Sequence, residues 1–153
     1  MACLDSGDEI IVPEPYYANY KSFAMMAGVK IVPITANIEN GFALPPIDTF
    51  EKLITGKTKA ILICNPNNPT GNCFDAADIE AIIDAAPGLV VLDEAYQPFA
   101  GATFMPRLGE FENLVVMRTV SKIGMAGLRL GYVCGRPEWI GEFDKTRSPF
   151  NVN

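Results

Sequence analysis

The sequence contains no histidine. That absence removes serine-hydrolase triads, the usual zinc-hydrolase sites and imidazole acid–base chemistry together, so any reaction must run on Lys, Tyr, Asp or a cofactor. The four cysteines, Cys3, Cys64, Cys73 and Cys134, form no Cys-x-x-Cys pair. Two of them sit in or beside apolar strand-like runs, a pattern that argues against zinc and for reduced thiols. Basic residues are outnumbered, 12 against 18 acidic for a net charge of −6, and they are scattered. A nucleic-acid or anionic-membrane surface needs clustered Lys and Arg, so a small molecule is the expected ligand. No apolar run reaches the length of a membrane span, and Met1-Ala2-Cys3-Leu4-Asp5 lacks the basic and apolar regions of a signal peptide. The expectation is a soluble, cytoplasmic protein. Internal repeats, linkers and long simple polar stretches are also lacking.

What is present is a chain of 153 residues, 49% hydrophobic, enough for one ordinary core and one domain. Short β-rich apolar runs alternate with helical-period segments, which predicts a three-layer α/β/α sandwich around a mainly parallel sheet. The strand candidates are Glu9–Val12, Lys30–Ile34, Ala60–Cys64, Leu89–Asp93 and Leu114–Thr119. The helix candidates are Tyr17–Ala27 ending at Gly28, Ile47–Leu53, Asp75–Ala85 ending near Pro87-Gly88, and Glu138–Lys145 with Pro137 in its first turn. A sixth strand, Leu128–Cys134, follows the fifth after about eight residues, too few for a helical crossover, so it should run antiparallel. Residues Asn37 to Pro46 read as a longer surface loop. The first strand starts soon after Met1 and the chain stops just past a helix, which reads as a piece of something larger.

Four groups could carry chemistry, all beyond the carboxyl ends of predicted strands, where open α/β sheets bind ligands. Asn65-Pro66-Asn67-Asn68-Pro69-Thr70-Gly71 follows the third strand and reads equally as a turn-rich connection. Asp93-Glu94-Ala95-Tyr96 ends the apolar run Leu89-Val90-Val91-Leu92. A buried carboxylate needs a partner, and a helix cap, a local ion pair or a cationic ring nitrogen would each serve Asp93. Thr119-Val120-Ser121-Lys122 closes the fifth strand. A lysine is usually a solvated charge, but the apolar strand before it makes a surface position less expected. At a cleft mouth, desolvated and near other cations, Lys122 would become a nucleophile toward an aldehyde. Arg129, inside Gly127-Leu128-Arg129-Leu130-Gly131-Tyr132, reads as a buried anion clamp in a glycine-flanked strand, or as one half of a structural salt bridge. A carbonyl-reactive lysine, a carboxylate for a protonated pyridine, amide and phenol donors for a phenolate, and a guanidinium for a phosphate are the parts that pyridoxal 5'-phosphate requires.

In order and spacing, Asn68-Pro69-Thr70-Gly71, Asp93-Glu94-Ala95-Tyr96, and Ser121-Lys122 followed by Gly127 to Tyr132 resemble the signature blocks of fold-type-I aminotransferases. The resemblance implies the large domain of a pyridoxal-phosphate-dependent transferase in truncated form, residues 1–153 being its cofactor-binding core. It implies that Lys122 carries the cofactor as a Schiff base and that Asp93 pairs with the pyridine nitrogen. Asn68 and Tyr96 would bond the phenolic oxygen, and Ser121 and Arg129 would hold the phosphate. Tyr17, in Pro13-Glu14-Pro15-Tyr16-Tyr17, falls where the family places an aromatic ring against the pyridine. It further implies a small-molecule amino donor and a 2-oxo acid as partners, and a homo-oligomer. An N-terminal segment with a phosphate-binding helix end, and a small domain with a carboxylate-binding arginine, would lie outside this chain.

The two halves resemble different branches. From Gly7 to about Gly71 the text is closer to aspartate aminotransferase-like enzymes. From Phe74 onward, through Val116 to Tyr132 and the closing Arg147-Ser148-Pro149-Phe150-Asn151-Val152-Asn153, it is similar to histidinol-phosphate aminotransferase. A recombined or engineered chain is one expectation from this, a natural intermediate homologue another. Beside the enzyme reading stand two others. One is a folded, self-associating scaffold that catalyses nothing, because exposed apolar surface and sheet edges invite association. The other is a ligand-binding module on the same fold that uses no pyridoxal phosphate.

Overall fold

A computed structural model describes residues 2–148; the end of the chain at 149–153, part of the closing block read above, lies outside the described residues. Six strands form one sheet: β1 (Glu9–Glu14), β2 (Lys30–Thr35), β3 (Thr58–Cys64), β4 (Leu89–Asp93), β5 (Leu114–Thr119) and β6 (Gly131–Gly135). Their order is β2-β1-β3-β4-β5-β6. The first five are mutually parallel, and β6 runs antiparallel to β5, as its short link demands. Pro33 is accommodated because β2 is an edge strand.

Alternation along the strands divides the core into two faces. Ile11, Ile61, Ile63, Val90, Leu92, Leu114 and Val116 point to one face, where they meet Phe50 of α2 (Ile47–Leu53) and Ile79, Ile82 and Ile83 of α3 (Ala76–Ala85). Ile10, Val12, Ala60, Leu62, Leu89 and Val115 point to the other. There they meet Tyr20 of α1 (Asn19–Met26) and Trp139 and Phe143 of α4 (Pro137–Thr146). Helices on both faces of the sheet give the three-layer α/β/α sandwich. Asp75 caps α3 by accepting from the Ala77 N–H, and Pro137 occupies the first turn of α4, where its missing N–H costs nothing.

Three local expectations change. The loop after β2 is not merely superficial: it holds a 3-10 turn at Ile38–Asn40 and buries Leu44 in the core. Helix α1 starts two residues later than expected, at Asn19, leaving Tyr17 outside it. The sixth strand starts at Gly131, not Leu128. Residues Ala126–Leu128 form a 3-10 turn, and Arg129 follows it in the left-handed region at φ 52°. Among the described residues no helix is long and apolar enough to cross a membrane.

Candidate functional site

Because β1, β3, β4 and β5 are parallel, their carboxyl ends open on one edge of the sheet, and the segments leaving them surround a cleft of about 420 Å³. Tyr17, Asn68, Asp93, Tyr96, Ser121, Lys122 and Arg129, all singled out from the sequence, line this one cleft. Tyr20, Cys64, Ala95 and Thr119 complete its wall.

Two kinds of asparagine occupy the loop after β3. Asn65 and Asn67 are buried and build the turn. Asn65 Oδ1 accepts from the Phe74 N–H at 2.9 Å, and Asn67 Oδ1 accepts from the Thr70 hydroxyl at 2.7 Å while its amide donates to the Pro15 carbonyl at 3.2 Å. The turn-rich reading therefore holds for these two. Asn68 faces the cleft instead, and its amide donates to the Tyr96 hydroxyl at 3.4 Å. A second cavity of about 340 Å³ adjoins the first and shares Asn68 and Tyr96 with it.

Asp93 ends β4 half-buried and has found its partners. Oδ1 accepts from the Ala95 N–H at 3.0 Å, a local cap, and Oδ2 accepts from the Tyr20 hydroxyl at 2.5 Å. Its neighbour Glu94, 1% exposed, points the other way. It accepts from the Phe104 N–H at 2.7 Å, the Thr103 hydroxyl at 2.8 Å, and Arg118 Nη2 and Nε at 2.7 and 3.0 Å. This pair ties the segment after β4 to β5.

Past β5 the chain makes a 3-10 turn at Ser121–Ile123, closed by Gly124 in the left-handed region at φ 91°, where a side chain would be strained. The Thr119 hydroxyl receives the Ser121 N–H at 3.1 Å and donates to the Leu130 carbonyl at 3.2 Å, joining the two limbs of the β5–β6 link. Lys122 projects from this turn. Contrary to the reading from its apolar strand, it is exposed, because the strand ends three residues before it. Its ammonium lies 4.7 Å from the Tyr96 ring centre. Arg129 also departs from expectation. It is exposed, sits in a left-handed turn rather than a strand, and spends one donor on the Ala126 carbonyl at 3.2 Å. The turn still aims it at the cleft. Among the described residues the salt-bridge alternative for Arg129 finds no carboxylate partner, and the buried Glu94 is paired with Arg118 instead.

Tyr20, Cys64 and the Glu94–Arg118 pairing were missed in the sequence. Tyr20 had one signal: it is the third tyrosine in Tyr16–Tyr20, and its ring packs edge-on to Tyr17 at 5.5 Å and stacks on Tyr16 at 6.4 Å. Burial, then the Asp93 charge, pushes the Tyr20 phenol far above its usual range, so it remains a neutral donor. The same two causes push the Cys64 thiol up to about 11.

The family model for aminotransferases of class I and II matches residues 1–153. Histidinol-phosphate aminotransferase 2 of Bordetella parapertussis is 49% identical over 154 aligned positions, covering 99% of this chain and 41% of the relative. The Nitrosococcus oceani protein of the same name is 44% identical, covering 100% and 42%. Among solved structures, aspartate aminotransferase from Thermus thermophilus with maleate superposes with a TM-score of 0.86 at 33% identity, over 94% of this chain and 39% of that one. The aromatic aminotransferase from Pyrococcus horikoshii gives 0.80 at 31%, over 94% and 41%. The chain thus spans about two-fifths of the length of the relatives it matches.

Proposed function

Since the chain belongs to the aminotransferase class I and II family, we propose that residues 1–153 form the pyridoxal-phosphate-binding core of a transaminase, with Lys122 as the cofactor lysine. The observation that carries this reading is the gathering of Lys122, Asp93, Asn68, Tyr96 and Arg129 on one cleft at the carboxyl edge of the sheet. Those side chains come from three different strand ends, and their chemistry fits each part of the cofactor. When bound, the cofactor supplies an aldehyde that takes up the amine and a protonated ring that accepts electron density.

The chain's own residues then divide the work. Lys122, on the rim of the cleft, would hold the cofactor's aldehyde through its amine and would serve as the base for the proton at the substrate α-carbon. Asp93 would accept from the ring nitrogen and favour its protonated form. Asn68 and Tyr96, already in mutual contact, would donate to the phenolic oxygen. The Ser121 hydroxyl and the Arg129 guanidinium would hold the phosphate, and the Tyr17 ring would lie against the pyridine. Arg129 suits this in its turn: one of its five N–H donors is engaged with Ala126, which fixes the fork's position.

The substrates we assign are an amine of the histidinol-phosphate type and a 2-oxo acid. The 41–49% identity to several histidinol-phosphate aminotransferases supports this choice. These relatives align along 99–100% of the chain, both halves included. A homo-oligomer in a reducing cytoplasm accords with the exposed Phe23, Met25 and Met26 on α1 and with four free cysteines. A second reading, a folded scaffold that self-associates and catalyses nothing, is supported by an open apolar groove of about 460 Å³ on the sheet face, lined by Ile10, Val12, Phe23, Leu62, Val91 and Met117. Addition of pyridoxal phosphate followed by an amino donor separates these readings. A visible band that forms and then shifts with amine supports the transaminase; a band that never shifts supports the scaffold; no band overturns the transaminase.

A further inference from the structure

The floor of the cleft holds a residue that none of the assigned roles uses. Tyr20 is 9% exposed, sits on α1, and reaches a carboxylate 73 residues away in sequence. We propose that Tyr20 is a positioning residue for the cofactor: by donating to Asp93 Oδ2 it fixes the carboxylate plane that receives the ring nitrogen. The inference rests on the pyridoxal-phosphate reading above and adds a residue to it.

The geometry argues for orientation rather than simple packing. An aspartate at a strand end can turn about both of its side-chain torsions. Here one oxygen is held by the Ala95 N–H at 3.0 Å and the other by the Tyr20 hydroxyl at 2.5 Å, so both torsions are set before any ligand arrives. A carboxylate offers about four lone-pair sites, and two donors leave room for a third, cationic N–H. Charge-assisted bonds weaken steeply when misaligned, so a carboxylate held in advance binds more tightly than one that must be ordered. The Tyr20 ring is itself held, stacked on Tyr16 and edge-on to Tyr17, which lines the same cleft. The ring proposed to cover the cofactor and the phenol proposed to steer Asp93 are therefore one aromatic unit. Burial and the Asp93 charge keep the phenol protonated, so the bond keeps the same donor throughout the neutral range.

The test compares dissociation constants, read spectroscopically without turnover, for pyridoxal phosphate and for its analogue in which a C–H replaces the ring nitrogen. Y20F should weaken pyridoxal phosphate about tenfold, the loss of one hydrogen bond to a charged group, and the analogue by less than about twofold. Equal losses for both ligands would mean that Tyr20 only shapes the cleft and would overturn the proposal. Urea midpoints of Y20F, D93N and the double variant, without cofactor, confirm folding and read the bond itself. Their losses should be non-additive, and simple addition overturns the contact. A wild-type chain that binds neither ligand overturns the pyridoxal-phosphate reading, and this inference with it. Binding by the wild type with equal Y20F losses overturns this inference alone.

Discussion

The Lys122 ammonium rests 4.7 Å from the centre of the Tyr96 ring, whose hydroxyl in turn receives the Asn68 amide. One aromatic residue thus contacts both Lys122, the proposed cofactor lysine, and Asn68, the donor proposed for the phenolic oxygen. The two roles separate by substitution. Tyr96→Phe keeps the ring face but loses the hydroxyl, and should weaken pyridoxal phosphate by about tenfold or more, one hydrogen bond to a charged oxygen. It should leave the rate of lysine modification by an amine-selective reagent unchanged. Tyr96→Leu should raise that rate at Lys122, since it removes a cation–π contact of about 0.5–1 kcal/mol at an exposed site. Peptide-resolved labelling of the cofactor-free chain checks both.

Arg129 lies in a turn at the cleft, and its assigned partner is the phosphate. Arg129→Ala should weaken pyridoxal phosphate about tenfold or more while barely changing the affinity for pyridoxal, which lacks the phosphate. Titrating both ligands against both chains measures the difference. Equal losses would show that Arg129 holds the turn rather than the anion.

The buried Glu94–Arg118 pair should dominate local stability. Arg118 is 19% exposed and Glu94 1% exposed, so screening by solvent is limited. Arg118→Met strands a buried carboxylate and should cost about 3 kcal/mol in urea unfolding. Adding Glu94→Gln to that variant should recover part of the loss, because the second change removes the stranded charge. A double variant worse than the sum of the single ones would contradict this.

How much of this was legible in the sequence follows from which interactions are local. Asp93 and Lys122 could be placed because each follows an apolar strand, and strand ends in a parallel sheet share one edge. Cys64 also ends a strand, but nothing in its neighbours reveals that Asp93 and Tyr20 lie against it. The Tyr20–Asp93 bond joins positions 73 apart and the Glu94–Arg118 pair positions 24 apart, and no spacing rule encodes either. Arg129 misled for a different reason. Gly127 to Tyr132 has the apolar, glycine-flanked look of a strand, yet β6 pairs with β5 only from Gly131, opposite Thr119. The residues before it must cross from the Lys122 turn, and Arg129 takes the left-handed conformation that completes the crossing.

Cys64 gives a pH signature. Burial, then the Asp93 charge, raises its thiol from 9.0 to about 11. Between those values the unfolded thiol ionises while the folded one keeps its proton, so the unfolded state gains. The contribution is full below pH 9 and is lost as pH rises through about 11, amounting to about 2–3 kcal/mol. Cys64→Val should flatten the alkaline decline in urea midpoint relative to the wild type. The same fall in both chains would assign it elsewhere. In the folded wild type, exposed Cys73 should react with a thiol reagent well before Cys64.

The central claim is that Lys122 bonds the cofactor, and the most direct measurement is covalent. The chain is mixed with pyridoxal phosphate, reduced with borohydride, digested, and mapped by mass spectrometry. The account predicts the reduced cofactor on the peptide containing Lys122, with no comparable labelling of other lysines and none at this position in Lys122→Ala. Labelling spread over surface lysines, or a Lys122→Ala chain that takes up the cofactor as well as the wild type, would contradict it.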